Sequence, residues 1–332
     1  MIRQLLLAFL MSAHFITSTP AQQPQSTNNP PTQSTEKTRP LNAALVKKVV
    51  GFLRVSFVKN GRSYQSEGTC FFVFYEDKRL GDGRGFIYLV TNRHVAAPGS
   101  EEGHLYPIQS TKIRLNLRAP TQAQGAEESD LPLNGQNHWY FPEDDGVDLA
   151  VLPIFPDQTK YDYEPFPVSM FATNDRVAND SIAEGDNILF TGYFYQFPGT
   201  KRIEPIIREG VLAMIPDELM ETTLHKPGKL YLADVHVFGG NSGSPMFVNV
   251  GGFRNGAMSL GGFPYLLLGI VSGGYSEDAD LKLTIATTLR GTVAGNSGIA
   301  TVVPVDELKA LLDSPALTAV REAEVNANRP KN

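Results

Sequence analysis

Cysteine is almost absent from this chain of 332 residues. Cys70 is the only one, so no disulfide can form within the chain. Long basic runs are also missing and the formal net charge is −6, which argues against a nucleic-acid partner. The composition is otherwise that of a globular protein, with 42% hydrophobic and 19% charged residues. The stability of the fold must therefore come from packing.

The first 21 residues have the layout of an export signal. A positive charge at Arg3 precedes an unbroken apolar run at residues 5–11, and small residues near Ala21 suit cleavage. Because a bilayer span needs about 20 apolar residues, we expect a cleaved signal at residues 1–21 rather than a retained anchor. The protein would then be secreted or periplasmic, with no membrane span. Residues 22–43 are mostly polar with several prolines, which predicts a disordered linker.

The rest of the chain shows the pattern of many short strands. The first strand pair flanks Asn60 and Gly61, a strong signal for a two-residue hairpin. The first helical pattern of the fold comes late, at residues 306–312. We therefore predict an all-β protein of two barrel-like halves, at residues 44–165 and 166–313, with a short C-terminal helix. A polar tail follows at residues 314–332, either as a helical or as a disordered extension.

A glycine-rich turn at residues 239–245 reads Gly-Gly-Asn-Ser-Gly-Ser-Pro and leads into an apolar strand pattern. Such a turn can point the hydroxyl of Ser242 outward while backbone N–H groups converge beside it. A nucleophile beside an oxyanion hole is the equipment of acyl transfer. Taken alone, however, the segment is more typical of a hairpin turn. A near copy, Gly-Asn-Ser-Gly at residues 295–298, lacks the proline, and we interpret it as a turn.

Two upstream residues could supply the base and the acid. His94 follows a buried strand pattern, where a base would be held rigidly, although a structural histidine is the commoner occupant of such a place. Asp148 directly precedes apolar residues, so its carboxylate needs a buried partner such as an imidazole N–H. The imidazole would take the proton of Ser242 while the carboxylate orients the imidazole. The N–H groups of Gly240 and Ser242 would bind the oxyanion.

Three segments carry a resemblance to a known family. They are Thr-Asn-Arg-His-Val at residues 91–95, Asp-Leu-Ala-Val-Leu at residues 148–152 and Gly-Asn-Ser-Gly-Ser-Pro at residues 240–245. Together they resemble the signatures of the chymotrypsin-fold (trypsin-like) serine peptidases. Asn241, and a Gly-Thr-Cys-Phe-Phe strand at residues 68–72, are similar to the bacterial HtrA-like branch. Cys70 replaces a glycine of that branch, and we interpret it as a small buried apolar side chain.

The resemblance implies two six-stranded antiparallel β-barrels and a serine endopeptidase with a His94, Asp148 and Ser242 triad. The expected partner is a polypeptide substrate, and neither a cofactor nor a metal is implied. Only about twenty residues follow the predicted helix, so we expect no PDZ domain. The sequence makes no prediction about the oligomeric state.

The same resemblance suggests where the side chain before the scissile bond would bind. Residues 235–239 form one wall of that pocket, and Ser272, Gly273 and Gly274 form the other. His236 falls at the pocket floor, where no aspartate occurs, so we expect a small-to-medium apolar preference rather than Lys or Arg. The alternative for His236 is a plain core histidine.

Two other functions would suit the same residues. One is a non-catalytic binding or scaffold protein on this fold, a pseudoprotease. The other is an esterase or acyltransferase that uses the same triad. A His94 side chain beyond hydrogen-bonding distance of both Ser242 and Asp148 would favour the pseudoprotease over the peptidase. Turnover of esters but of no peptide bond would favour the esterase or acyltransferase.

Overall fold

Strands make up most of the chain that the structure describes, a computed structural model covering residues 43–100, 103–135, 137–254, 257–259, 264–284 and 288–327. The predicted export signal and nearly all of the predicted linker lie outside these residues. The N-terminal half contains β1 (Val50–Lys59), β2 (Arg62–Glu76), β3 (Gly85–Thr91), β4 (Ile108–Asn116), β5 (Ala126–Asp130), β6 (Ala150–Pro153) and β7 (Phe166–Pro167).

The N-terminal sheet is built on the hairpin of β1 and β2. The two strands pair antiparallel from Lys59 opposite Arg62 inward. The turn residues Asn60 and Gly61 both have positive φ, at 52° and 72°, which is typical of the tight turns that match the twist of a hairpin. The strand order is β5-β4-β1-β2-β3-β6, and β7 pairs with β2 in parallel. The strand β3 therefore lies antiparallel beside β6, which places the end of β3 next to the start of β6.

The prediction of a second closed barrel is not confirmed in this half. Among the described residues, the pairing path ends at β5 on one side and at β6 on the other. The free edge of β6 is met instead by Tyr140, which forms an isolated antiparallel bridge to Val151. A loop residue thus occupies the edge that a closing strand would need.

The C-terminal half contains the closed barrel. Its strands are β8 (Asn187–Gly192), β9 (Ile206–Met214), β10 (Met220–Glu221), β11 (Pro227–Gly228), β12 (Tyr231–Asp234), β13 (Pro245–Asn249), β14 (Gly252–Arg254), β15 (Ala257–Ser259), β16 (Tyr265–Thr284) and β17 (Thr288–Pro304). Six of them close in the order β12-β17-β16-β13-β8-β9. The pairs β10-β11 and β14-β15 form two small hairpins outside the barrel.

Seven helices complete the described chain. Two are short 3-10 helices, at Lys78–Leu80 and Val168–Met170. The α-helices are α1 (Ala43–Lys48), α2 (Arg93–Ala96), α3 (Asn174–Asn179), α4 (Val305–Leu312) and α5 (Pro315–Ala327). The helix predicted at residues 306–312 is present as α4. Most of the predicted polar tail is α5, which is anchored by Arg321, only 3% exposed. The guanidinium of Arg321 donates to the hydroxyl of Tyr88 at 3.0 Å and to the carbonyl of Leu312 at 2.7 Å. Within the described residues, no helix combines the length and the apolar character that crossing a membrane requires.

The core has four buried clusters, one inside each half and two at the seam between the halves. At the seam, the rings of Phe166 and Phe247 lie 5.1 Å apart between centroids, within a buried cluster that draws on both halves. The N-terminal cluster includes Cys70, which is fully buried, and Trp139 packs against it. Burial raises the pKa of the Cys70 thiol, so this thiol stays protonated and packs as an apolar group. The packing at the seam fixes the position of one half relative to the other.

Candidate active site

His94 lies on the one-turn helix α2, directly after β3. Its backbone N–H donates to Oδ1 of Asp148 at 3.0 Å, which satisfies one of the unpaired N–H groups at a helix start. Its ring Nδ1 lies 2.6 Å from Oδ2 of the same carboxylate. Because a carboxylate oxygen accepts, Nδ1 carries the proton and Nε2 of the neutral ring is left as an acceptor. The His94 side chain is 33% exposed, so Nε2 can serve a reaction at the surface.

Asp148 is fully buried just before β6. Its carboxylate accepts the two bonds from His94, and Oδ2 also accepts the hydroxyl of Thr223 at 2.7 Å. Its backbone carbonyl accepts the side-chain amide of Asn92 at 2.8 Å. A buried carboxylate is tolerated when hydrogen bonds and an opposite charge compensate for its lost hydration. These hydrogen bonds hold the Asp148 carboxylate in contact with His94.

The Asp148 carboxylate increases the proton affinity of the His94 imidazole. Burial alone lowers the pKa of His94, but the attraction of the Asp148 carboxylate and the hydrogen bond to it outweigh burial and leave the pKa raised. Burial alone raises the pKa of Asp148, and the His94 charge with the bonds from His94 and Thr223 leaves it lowered. The imidazole is therefore a stronger base than an isolated one.

Ser242 sits on the loop between β12 and β13, and its neighbours fix that loop. The buried side chain of Asn241 accepts the N–H of Phe238 at 2.8 Å and donates to the carbonyl of Tyr193 at 2.7 Å. Gly243 has φ +85°, and a Cβ there would lie 2.0 Å from the carbonyl oxygen of Thr69. Only glycine fits at that position, for both reasons. The loop is thereby pressed against β2 with Ser242 half-buried at its tip.

The hydroxyl of Ser242 donates to the carbonyl of Ser272 at 3.2 Å. No hydrogen bond joins it to His94 within the described chain. The segments that carry the two residues approach each other at Gly68. A Cβ at Gly68 would lie 2.9 Å from the side chain of Val95, next to His94, and 3.1 Å from the Ser242 carbonyl oxygen.

Gly240 and Ser242 carry the two backbone N–H groups that the sequence predicts for an oxyanion hole. Gly240 has φ +93°, and its carbonyl accepts the hydroxyl of Thr69 at 2.8 Å. Neither of the two N–H groups donates to an acceptor in the part of the chain that the structure describes. Both N–H groups are therefore available to bind an anionic oxygen, such as that of a tetrahedral intermediate.

Two clefts open at the candidate site, one lined by Ser242 and the other by His94. One, of about 310 Å³, is lined by residues that include Val237, Ser242, Gly273, Gly274, Tyr275 and Asn296. The other, of about 340 Å³, is lined by residues that include Arg93, His94, Leu105, Phe141, Thr223 and Leu224. A larger cavity of about 990 Å³ includes Phe74 and Phe155 and none of the residues above. Among the described residues, no group of three or more His, Cys, Asp and Glu side chains is arranged to hold a metal ion.

Comparison with known proteins places the chain in a family. A family model for a trypsin-like peptidase domain matches residues 68–252, more than half of the chain. The chain belongs to the trypsin-like peptidase family. No curated protein matches this member of the family.

Solved structures similar to this trypsin-like peptidase domain include HtrA-type proteases. The HtrA-type protease AlgW, solved with a tripeptide, is 16% identical, covers 81% of this chain and has a TM-score of 0.44. The chain spans 62% of the length of that structure. The Rv3671c protease of M. tuberculosis in its active form is 16% identical, with a TM-score of 0.41, and 87% of this chain and 86% of that one are covered. The MamO protease domain of Magnetospirillum magneticum is 14% identical, with a TM-score of 0.40 and coverages of 81% and 98%.

The residues expected around the specificity pocket of this trypsin-like peptidase divide into two groups. Gly273 and Gly274 line the 310 Å³ cleft. Ser272 turns its hydroxyl away to Thr301, at 3.0 Å between the two hydroxyl oxygens, and offers its carbonyl to Ser242. His236 is exposed and is not among the residues lining the cleft. Because Val235 and Val237 on either side of it are buried, the imidazole of His236 faces outward. Its ring lies 3.3 Å from the point that a Cβ would occupy if Gly298 had one.

The site also contains contacts that the sequence did not predict. Thr223 lies between β10 and β11, far along the chain from both His94 and Asp148, and no local pattern marks its hydroxyl as a partner of a carboxylate. Thr69 lies on β2, inside a segment noted only for its family resemblance. Both contacts join the two halves, so they depend on how the halves pack rather than on a motif.

Proposed function

We propose that this chain is an exported serine endopeptidase that uses Ser242 as nucleophile, His94 as general base and acid, and Asp148 as the orienting acid. The observation that carries the proposal is the 2.6 Å contact between Nδ1 of His94 and Asp148. It leaves Nε2 as an acceptor for a proton. The N–H groups of Gly240 and Ser242, which donate to no acceptor among the described residues, support the proposal.

The reaction divides into acylation and deacylation. Nε2 of His94 takes the proton of Ser242 as Oγ bonds to the substrate carbonyl carbon, and the N–H groups of Gly240 and Ser242 bind the oxyanion. The imidazolium then donates that proton to the leaving amine as the C–N bond breaks. Water attacks the acyl-enzyme in the same manner, with His94 again taking and returning a proton. Asp148 stabilises the imidazolium in both stages.

Ser242 must leave Ser272 before it can react. A turn about the Cα–Cβ bond moves Oγ between staggered positions, and side chains exchange rotamers rapidly in exposed sites. Catalytic hydrogen bonds are often long or misaligned in the absence of substrate. We infer that a bound substrate backbone completes the contact between Ser242 and Nε2 of His94.

The substrate would be an extended polypeptide with a small-to-medium apolar side chain before the scissile bond. The 310 Å³ cleft beside Ser242 is flanked by Gly273 and Gly274, whose open backbone can pair with an added strand. Among the described residues that line this cleft, none carries a charge. A cleft of this kind has no partner for a Lys or Arg side chain.

A fluorophosphonate probe tests the catalytic proposal. The mature protein, starting near Gln22, should be labelled, with the added mass on the peptide that contains Ser242. The matched variant Ser242→Ala should not be labelled. Absence of labelling in a folded wild-type protein would overturn the proposal. Export is tested separately, since the N-terminus of the protein recovered outside the cytoplasm should begin near residue 22.

One observation favours a non-catalytic binding protein as the second candidate. The Ser242 hydroxyl bonds to Ser272 rather than to His94. The contact between His94 and Asp148 weighs against this candidate, because burying the Asp148 carboxylate against an imidazole costs free energy that peptide binding alone does not require. Peptide binding without labelling or turnover would support the binding protein.

A further inference from the structure

Thr69 is a fully buried residue of β2 whose polar groups all reach other strands or loops. Its hydroxyl donates to the carbonyl of Gly240 at 2.8 Å. The same oxygen accepts the N–H of Tyr193 at 2.8 Å and the hydroxyl of Ser244 at 3.1 Å. A hydroxyl has one proton and two lone pairs, so the hydrogen-bonding capacity of this one is fully used.

The backbone of Thr69 contacts the same loop. Its N–H donates to the carbonyl of Ser242 at 2.8 Å. Thr69 therefore holds the carbonyls of Gly240 and Ser242, which are the two residues whose N–H groups would bind the oxyanion. The bonds cross from the N-terminal sheet to the C-terminal barrel, so the loop is fixed by the opposite half of the molecule.

Gly240 is the residue that most needs this support. Glycine adopts positive and negative φ with similar ease, so the direction of its N–H is set by what holds its flanks. Thr69 holds the carbonyl side, and Asn241 holds the N–H of Phe238 on the other side. The ring of Tyr193 packs against Gly240, where a Cβ would lie 2.4 Å from the ring.

We propose that Thr69 is a positioning residue that keeps the oxyanion loop in its binding geometry before substrate arrives. The inference rests on the proposed function. Thr69 touches neither the substrate nor the reacting atoms, and its side chain contacts neither His94 nor Asp148. Its loss should therefore reduce oxyanion stabilisation and leave the basicity of His94 unchanged.

Thr69→Val is the main test, because it keeps the shape and removes the hydroxyl. We expect kcat to fall about 10- to 100-fold, below the loss that follows removal of an oxyanion donor itself. KM should stay within about threefold, and the midpoint of the acid limb of the pH profile should not move. A peptide aldehyde, which forms a tetrahedral adduct with the serine, should bind less tightly by a similar factor. Thr69→Ser keeps the hydroxyl and should restore most of the rate.

Thr191→Val is the matched control. Thr191 is also a fully buried threonine, on β8 close to Tyr193, and its hydroxyl has no hydrogen-bond partner. The same substitution there should leave kcat, KM and aldehyde binding unchanged. A loss equal to that of Thr69→Val would show that general core damage, and not the loop contact, lowers the rate.

The outcomes separate this inference from the proposed function. If the wild type is not labelled by the fluorophosphonate, the proposed function fails. If the wild type is labelled and a folded Thr69→Val protein reacts equally fast, the positioning role fails. If Thr69→Val does not fold, Thr69→Cys takes its place, because a thiol is a weak donor of similar size. We then expect rates in the order Thr, Ser, Cys, and equal rates would overturn the inference.

Discussion

The tetrapeptide Gly-Asn-Ser-Gly occurs twice in this chain, and its two copies have different surroundings. The glycines after the serines, Gly243 and Gly298, share nearly the same φ, at +85° and +84°. In the second copy, however, the Ser297 hydroxyl donates to Tyr275 at 2.8 Å and accepts the N–H of Ile299 at 3.2 Å. That hydroxyl closes a turn, whereas the Ser242 hydroxyl makes a single hydrogen bond, at 3.2 Å.

The two asparagines, in contrast, make similar contacts. Asn296 accepts the N–H of Gly298 at 2.9 Å and donates to the remote carbonyl of Val237 at 2.5 Å. Asn241 accepts the N–H of Phe238 at 2.8 Å and donates to the remote carbonyl of Tyr193 at 2.7 Å. A tetrapeptide thus provides a turn, and the surrounding elements decide whether its serine can act as a nucleophile.

Alanine at each serine should give the largest difference between the copies. Removing the nucleophile of a triad costs several orders of magnitude in kcat, so we expect Ser242→Ala to lose at least about 10⁴-fold. Ser297→Ala should keep kcat within about twofold. Initial rates on an unfolded protein substrate, with melting temperatures as the control for folding, measure both. Full activity in Ser242→Ala would break the comparison.

Asp148→Asn removes the carboxylate of the proposed triad, so that Ser242, like Ser297 in the described part of the chain, would have no acid beside a neighbouring histidine. Losing the acid of a triad lowers kcat about 10⁴-fold. The raised pKa of His94 places the midpoint of the wild-type acid limb above the ordinary imidazole value of about 6.5, since activity needs the neutral ring and rises with pH. Without the carboxylate charge that pKa falls, so the acid limb of the variant should move to lower pH. A pH profile of kcat/KM measures the shift, and an unmoved limb would contradict the assignment.

Alanine at each glycine should give the smallest difference, in stability. Both positions have positive φ, which costs an L-residue about 1–2 kcal/mol. At Gly298 the new Cβ meets only the His236 ring, at 3.3 Å, and that side chain can move. At Gly243 it meets the Thr69 carbonyl at 2.0 Å, which adds about 1–3 kcal/mol of overpacking. Urea unfolding followed by circular dichroism should rank Gly243→Ala as the less stable, and equal losses would argue against the close contact.

The sequence predicted the local features of the fold well. The Asn60–Gly61 hairpin and the helix α4 follow from residue preferences that act over a few positions. Whether the N-terminal sheet closes into a barrel was not predictable in that way, because closure depends on which segment reaches the edge of β6. The sequence left the tail open between a helical and a disordered extension, because α5 is stabilised by the burial of Arg321, a residue type that a sequence pattern places at the surface.

The candidate site shows the same division. The segments around His94, Asp148 and Ser242 are continuous in sequence, so they could be recognised. Thr223 and Thr69 contribute single hydroxyls from remote strands and turns, and only the packing of the two halves brings them to the site. The placement of His236 was decided by the burial of its neighbours, which spacing from Ser242 does not specify.

Trp139 gives this molecule a built-in optical reporter. It is the only tryptophan in the chain, and it packs against the buried cluster of the N-terminal half. Excitation at the red edge of protein absorbance therefore reads the environment of the half that carries His94 and Asp148. The emission from this one indole can be compared with a probe attached at Ser242. The comparison shows whether the two halves of the site come apart together or one before the other.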